Sequence, residues 1–363
     1  MMKKKRIIAI LLSLVLVISG FYVLQRLLVP KYQTGIVEGS MIEEYYRDES
    51  KHEVLFIGDC EVYENFSTIT LWEKYGITSY IRGSAQQLTW QSYYLLEDTL
   101  KYEKPKVVVF NVLALKYNEP QSEAYNRMSI DGMKWSKSKI DNINASMMED
   151  EKFIDYVFPI LRYHSRWSEL TEDDFEHIFT KDLVTHNGYY MRVDVKPQSE
   201  FPDPMLLADY TLGDKAMDYL QRMADLCKQE GIELVLIKAP TEYPHWYDEW
   251  DQQVVDFAKE NDLEYINYIP LQDEIGLDMS KDTYDAGLHL NTSGAEKMSD
   301  YFGQWLIDNY DLTDYRNDEE YVAIWQEKVD FYNEMKEHQY YELETYGELR
   351  SYGANAIDNK DEE

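Results

Sequence analysis

The sequence predicts an α/β fold: a doubly wound, mostly parallel sheet flanked by helices, with a transmembrane helix at the N-terminus. Two observations lead to this prediction. Short apolar or β-branched runs alternate with amphipathic stretches, as strands alternate with crossover helices around a parallel sheet. Before them, residues 7–24 are almost wholly apolar and have no polar face to turn toward water. The length of 363 residues is enough to bury a sizeable core.

The apolar segment predicts a single-pass membrane anchor. An apolar helix of about 20 residues crosses the roughly 30 Å hydrocarbon layer of a bilayer. A basic cluster at residues 3–6 precedes it, so the positive-inside rule predicts a cytoplasmic N-terminus and an extracytoplasmic main domain. A cleaved signal peptide is the alternative, although no good A-x-A-like cleavage site is present.

Strands and helices are predicted from periodicity and from their boundaries. Each predicted strand is a short run, mostly apolar or β-branched, and most of these runs end at Gly or Pro. Thr70 and Ser293 each stand three residues before a Glu, which is the spacing of a capping box at a helix start. The predicted strands are 53–57, 77–81, 106–112, 233–238 and 264–266, and the predicted helices are 70–76, 86–102, 216–230, 254–261 and 293–310.

Composition divides the chain into segments. The stretch after the third strand loses the strand–helix rhythm, is rich in Tyr, Trp and Met, and predicts an insertion, helical in pieces, over the sheet edge. The acidic C-terminal segment predicts a long helix at 319–341 and a disordered tail after Gly353. The predicted divisions are an anchor at 1–30, a connector at 31–50, an α/β domain at 51–310 with the insertion at about 113–212, and an acidic extension at 311–363.

The charge and cysteine counts exclude several functions. Lys and Arg total 36 and Asp and Glu total 68, giving a net charge of −32, so no nucleic-acid partner is expected. Two Cys in a chain of this length predict neither a disulfide framework nor a thiolate zinc site. The seven His show no metal-ligand spacing, and we expect no cofactor.

Side chains suited to chemistry follow the predicted strand ends, where doubly wound sheets form their sites. The first strand runs into Asp59 and Cys60, a turn that would expose a nucleophile above the sheet. The second ends at Gly83, whose N–H can approach a ligand, and the third carries the amide of Asn111. A late loop, just before the last helix of the α/β domain, adds a carboxylate and the imidazole of His289.

This order of blocks resembles the SGNH (GDSL-like) hydrolases, whose fold is a flavodoxin-like sheet. The resemblance implies that Cys60 replaces the nucleophilic Ser of the family. It implies Gly83 and Asn111 as oxyanion-hole donors, His289 as the catalytic base and Asp285 as the acid that orients it.

The late block departs from the family pattern. The spacing Asp285-x-x-x-His289 is one residue longer than the Asp-x-x-His of the family, and Asp282 is a second candidate for the acid. A helix N-terminus or His289 could lower the pKa of Cys60 and make it the better nucleophile at neutral pH. The alternatives are a Cys60 that is a small buried apolar residue and a His289 that only caps its loop. Cys227, on the apolar face of its predicted helix, is expected in the core.

Together with the anchor, the blocks resemble the membrane-anchored cell-envelope branch of the family, which serves teichoic-acid D-alanylation and partners membrane-bound O-acyltransferases. The resemblance implies an extracytoplasmic esterase or O-acyltransferase acting on acyl groups of a cell-envelope glycopolymer, with an acylated glycan or teichoic-acid-like polymer as partner. A catalytically silent glycan- or partner-binding protein is the alternative. A third possibility is a subunit whose anchor docks a membrane-bound O-acyltransferase.

Overall fold

The computed structural model describes residues 2–30, 41–179, 183–198 and 200–350. Half of the predicted connector, residues 31–40, and the whole predicted disordered tail lie outside these residues. The strands are β1 (Val54–Gly58), β2 (Ser79–Gly83), β3 (Val107–Asn111), β4 (Glu233–Lys238) and β5 (Glu264–Asn267). The helices are α1 (Met2–Leu28), α2 (Met41–Glu44), α3 (Cys60–Tyr63), α4 (Thr68–Tyr75), α5 (Thr89–Thr99), α6 (Glu123–Ile130), α7 (Lys137–Ser146), α8 (Phe153–Val157), α9 (Ile160–Tyr163), α10 (Glu172–Phe179), α11 (Asp214–Glu230), α12 (Asp248–Asn261), α13 (Gln272–Ile275), α14 (Thr292–Asn309) and α15 (Glu319–Tyr346).

The sheet has five parallel strands in the order β2-β1-β3-β4-β5. This is the flavodoxin-like doubly wound order, so the predicted fold class is confirmed. All five strands were predicted to within two residues. Their register places Gly58 beside Gly83, and Asn111 beside Ile237, so the strand ends meet at one edge.

Both faces of the sheet are covered, as the continuous apolar strands require. Phe56 points to one face, where its ring lies 5.8 Å from that of Phe302 in α14. Leu55 and Ile57 point to the other face and belong to the same core as Leu220 of α11. Alternate residues of β1 thus serve two separate cores, which is why this strand is buried along its whole length.

The helix α12 begins at Asp248, six residues before the predicted start, and α5 is shorter than predicted at both ends. Two further helices have a different cap from the one predicted. Ser67 caps α4, because its hydroxyl accepts the N–H of Thr70, and the predicted capping box at Thr70 does not form. Asn291 caps α14 by accepting the N–H of Gly294. Glu296, which was expected to complete a capping box, instead accepts the hydroxyl of Tyr332 at 2.7 Å. Packing against α15 therefore decided where this side chain points.

The insertion and the C-terminal extension both pack onto the α/β core. Ile81 of the edge strand donates its N–H to the carbonyl of Asn187 in the insertion, and the Asn187 amide donates to Ser79. In the extension, Trp325 of α15 stacks on Trp72 of α4 at 4.9 Å between ring centroids. The helix α15 runs five residues further than predicted, to Tyr346.

The N-terminal helix stands apart from this core for most of its length. Within α1, Lys4–Leu28 is long and apolar enough to cross a membrane, and its apolar side chains are exposed along the first five turns. A helix that is apolar on every side and uncovered by protein suits a lipid environment.

Candidate active site

The turn between β1 and α3 presents Cys60 at the carboxyl edge of the sheet. Asp59 accepts the N–H of Glu61 at 3.1 Å and so caps the short helix that begins at Cys60. Cys60 is half-buried. A side chain at Gly58 would come within 3.1 Å of the Cβ of Asn111, so only Gly lets the neighbouring strand ends approach this closely.

Gly83 and Asn111, the predicted oxyanion donors, lie at the ends of the two strands beside β1. A Cβ on Gly83 would come within 3.1 Å of the Gly58 carbonyl oxygen and of Val62, so the missing side chain lets α3 pack on β2. The Asn111 Nδ2 donates to Asp59 Oδ1 at 3.0 Å and to a Glu61 carboxylate oxygen at 2.9 Å. Both amide hydrogens of Asn111 are therefore engaged, and its oxyanion role stays a prediction.

A buried ion pair between Lys238 and Glu61 lies next to the turn that carries Cys60. Lys238 Nζ lies 2.8 Å from both carboxylate oxygens of Glu61, and both side chains are almost completely buried. The same ammonium donates to the Ala239 carbonyl. Burial, and then the Glu61 charge, raise the pKa of the neighbouring Asp59 to about 7, and Lys238 opposes the rise.

The late loop brings the predicted acid to the predicted base. His289 Nδ1 lies 2.6 Å from Asp285 Oδ2, and the His289 backbone N–H donates to the other carboxylate oxygen at 2.8 Å. Ala286 and Gly287 have φ values of 69° and 87°, in the left-handed region. These two residues curl the loop back on itself, which is how a spacing of four residues still closes the pair.

Asp282, the second candidate for the acid, is engaged elsewhere. Its carboxylate accepts the N–H of Asp278 at 2.8 Å and the ammonium of Lys297 at 2.6 Å. These two contacts hold the start of the late loop against α14. The alternative assignment of Asp282 as the partner of His289 therefore has no support from the contacts of this side chain.

Glu64 is a member of the cluster that the sequence analysis missed. One of its carboxylate oxygens lies 3.0 Å from His289 Nδ1 and accepts the hydroxyl of Tyr284 at 2.6 Å. Glu64 follows Cys60 by four residues, and its N–H donates to the Cys60 carbonyl. The spacing i, i+4 after a nucleophile at a helix start is the signal that could have found it.

The thiol and the imidazole lie close enough for each to shift the pKa of the other within this acidic setting. Because His289 Nδ1 already meets two carboxylates, Nε2 is the nitrogen left to face Cys60. Burial lowers the pKa of His289, but the charges of Glu64 and Cys60 and the Asp285 hydrogen bond outweigh it, so the net pKa is well above 6.5.

The Cys60 thiol does not have the lowered pKa that the sequence analysis considered. Burial raises its pKa to about 11, and the charges of Asp59 and Glu64 add to the rise. His289 opposes the rise and does not overcome it. The surroundings therefore favour the protonated form of the thiol, and the two carboxylates favour the protonated form of the imidazole.

One group in the described part of the chain has the geometry to hold a metal ion. Ligand atoms of Glu64, Asp285 and His289 lie within 4.8 Å of one another. The same atoms bond to one another and to the Tyr284 hydroxyl, so these hydrogen bonds account for their closeness without an ion.

Three solved structures are similar to this chain at low identity. One is from Desulfitobacterium hafniense and is described as a lipolytic protein of the G-D-S-L family (12% identity, 70% of this chain, 98% of that one, TM-score 0.35). Another, from Bacteroides fragilis, is described as an acylhydrolase (11% identity, 74% of this chain, 94% of that one, TM-score 0.36). The third, from Bacteroides thetaiotaomicron, is described as a GDSL-like lipase (12% identity, 74% of this chain, 100% of that one, TM-score 0.33). No protein-family model and no curated protein matches the chain. The side chains at the carboxyl edge of the sheet are therefore the basis for assigning a function.

Proposed function

We propose that this chain is a membrane-anchored esterase or O-acyltransferase that uses Cys60 as its nucleophile. The observation that carries the proposal is the placement of Cys60 next to His289, which Asp285 contacts at 2.6 Å, at the carboxyl edge of the sheet. A nucleophile, a base and a group that orients the base are the parts that covalent acyl transfer needs. A core cysteine would not require a buried imidazole and carboxylate beside it.

The reaction has two balanced steps. Cys60 Sγ attacks the ester carbonyl carbon as His289 Nε2 takes the thiol proton, and the C–O bond then breaks as His289 protonates the leaving alcohol. This leaves a thioester on Cys60. Water or a sugar hydroxyl next attacks the thioester as His289 takes its proton, and the proton returns to the departing thiolate. Water completes hydrolysis, and a sugar hydroxyl completes transfer.

The substrate in this proposal is an acyl ester on a cell-envelope glycopolymer. The apolar helix α1 supports a membrane anchor, and the basic cluster at residues 3–6 supports a cytoplasmic N-terminus with the site outside. Protease added to intact cells would then digest the α/β domain. Digestion only after the cells are permeabilised would mean that the domain lies on the cytoplasmic side.

A silent binding protein is the second candidate, and two observations favour it. The raised pKa of Cys60 leaves little thiolate at neutral pH. The amide of Asn111 is also held by Asp59 and Glu61 and would have to exchange these partners to reach an oxyanion. In this alternative the site binds an acylated polymer and does not turn it over.

The deciding experiment is the search for an acyl-enzyme. Full-length protein purified in detergent is treated with p-nitrophenyl acetate and digested, and the Cys60 and Cys227 peptides are compared by mass spectrometry. We expect an acetyl group on Cys60 alone, and none on Cys60 in the His289→Ala variant. If Cys60 stays unmodified and Cys60→Ala hydrolyses the ester as fast as wild type, the silent binding protein is the better account.

A further inference from the structure

The C-terminal end of α1 is packed against the insertion. The rings of Phe21 in α1 and Phe158, just after α8, lie 6.1 Å apart between centroids. Arg166 donates to the carbonyl of Leu28 at 3.0 Å and is itself held by Asp174 of α10 at 2.9 Å. The helix therefore meets the insertion along its last two turns, and its C-terminal end is fixed to that part of the domain.

The segment that touches α1 also exposes large apolar side chains. They lie on α8 and at the residue after it, on α9, on α10 and on the short 3₁₀ turn His164–Ser168, and each is between 38% and 86% exposed. A cluster of this kind on an otherwise strongly acidic chain indicates an interaction surface. We call it the insertion face; its members are Ile154, Phe158, Leu161, Trp167, Phe175 and Phe179.

The depth of this face follows from its contact with α1. Phe21 precedes Arg26 by five residues, which is about 7 Å along the helix at 1.5 Å per residue. Interfacial segments bury their apolar side chains roughly 5–10 Å into a bilayer. A side chain that reaches Phe21 is thus within acyl-chain depth if α1 spans the membrane. We propose that the insertion face lies in the lipid interface at the C-terminal end of α1.

The charges next to the face fit the same occupant. A cavity of about 590 Å³ lies between the end of α1 and the domain, next to the contact with the insertion, and Trp135, a residue type common at lipid interfaces, lines it. Two carboxylates, Glu43 and Asp131, also line it. Arg26 lies 3.8 Å from Glu43, and the Lys139 ammonium donates to the carbonyls of Asp131 and Met133. Four basic side chains against two carboxylates still leave the lining with an excess of positive charge, which suits the phosphate of a lipid headgroup. The basic residues are Arg26, Arg47, Lys134 and Lys139.

This inference rests on the membrane anchor of the proposed function and extends it. A single-pass anchor alone leaves a domain free to tilt. A second contact with the lipid, beside the first, would hold the domain at a defined height and orientation above the bilayer. The headgroup region would then be in reach of the same domain that carries Cys60.

The test uses full-length protein in lipid nanodiscs, one copy per disc. In a Cys60→Ser, Cys227→Ser background, a single cysteine at Leu161 is labelled with NBD and exposed to lipids that carry a doxyl quencher. Leu206, which is 93% exposed, is the control position, and Leu16 within α1 reports on the anchor. We expect blue-shifted, strongly quenched emission at positions 16 and 161, and neither effect at 206.

Each other outcome overturns the proposal in a recognisable way. Quenching at 16 without quenching at 161 leaves the anchor intact and removes the insertion face from the lipid. No quenching at 16 removes the anchor and this inference with it. A blue shift at 161 without lipid quenching means that protein covers the face. Equal quenching at 161 and 206 means that the contact is not specific to the face.

Discussion

Cys60 and Cys227 are both bordered by the core of the α/β domain, yet their surroundings differ. Cys227 is buried on the apolar face of α11, and burial alone raises its pKa to about 12. Cys60 stands at the strand end among Asp59, Glu64 and His289, and its pKa is raised to about 11. Two unlike settings thus give nearly the same thiol acidity. In the proposed function, catalysis by Cys60 therefore depends on the proton acceptor beside it more than on a resting thiolate.

The largest expected difference between the two cysteines is in esterase activity when each sulfur is removed in turn. Cys60→Ala should lower esterase activity by about 10³-fold or more, because the covalent route is lost, while Cys60→Ser should keep part of it. Cys227→Ala should leave kcat/KM nearly unchanged, since this side chain only fills core volume. Steady-state kinetics with an activated ester measures both. Equal losses in the two Ala variants would contradict an assignment of catalysis to Cys60.

The ionic surroundings of the two regions should differ in stability. Lys238→Met leaves the buried Glu61 carboxylate unpaired and should cost about 3–5 kcal/mol of unfolding free energy. Near Cys227, the pair Arg222–Asp218 on α11 is about half exposed on each side. Asp218→Asn should therefore cost under about 1 kcal/mol. Urea titration of both variants measures the difference.

The double variant Glu61→Gln, Lys238→Met tests the reason for this loss. It removes both charges together, so most of the stability lost in Lys238→Met should return. A double variant as unstable as Lys238→Met would mean that packing, and not the unpaired charge, explains the cost.

The two cysteines should also differ in their rates of labelling by iodoacetamide. Cys60 is half-buried and Cys227 is buried, so iodoacetamide should modify Cys60 in the native protein and Cys227 only after unfolding. The Cys60 rate should rise about tenfold per pH unit below its pKa, because the thiolate is the nucleophile. His289→Ala should slow the labelling, since His289 is the group that lowers the pKa of Cys60. An unchanged labelling rate in that variant would mean that His289 does not lower the pKa of Cys60.

The smallest expected effect is a shift in the pH dependence of activity. His289 must be neutral to accept the thiol proton, and its raised pKa predicts activity that increases with pH above 6.5. Glu64→Gln removes the charge that raises this pKa most, so the acid limb of the kcat/KM profile should move to lower pH. Glu44→Gln, at a buried Glu held by Thr185, is the matched control and should not move it.

The His289 imidazole also makes the stability of the fold depend on pH. A raised pKa for His289 stabilises the fold fully below 6.5, its ordinary value, and this contribution is lost as pH rises through the raised pKa. Glu64→Gln should therefore reduce the unfolding free energy more at pH 5 than at pH 9. An equal loss at both values would mean that the charge of Glu64 does not act on His289.

Local sequence was sufficient for the strands and for the order of the site residues. Runs such as 106–112 are apolar, β-branched and bounded by Pro, and these properties act within a few residues of chain. The positions of Cys60, Asp285 and His289 relative to strand and helix ends followed in the same way. Where local signals competed, as for Ser67 against Thr70, the sequence alone led to the wrong cap.

By itself, the sequence determined the apolar N-terminal helix, the parallel α/β architecture and the candidate nucleophile, acid and base. Only the tertiary structure decided what surrounds them. Glu61 and Lys238 are 177 residues apart in the chain, and Glu64 and His289 meet only because α3 and the late loop fold together. A pKa depends on burial and on every charge within a few ångströms, so the sign of the shift at Cys60 followed from the fold and not from its motif.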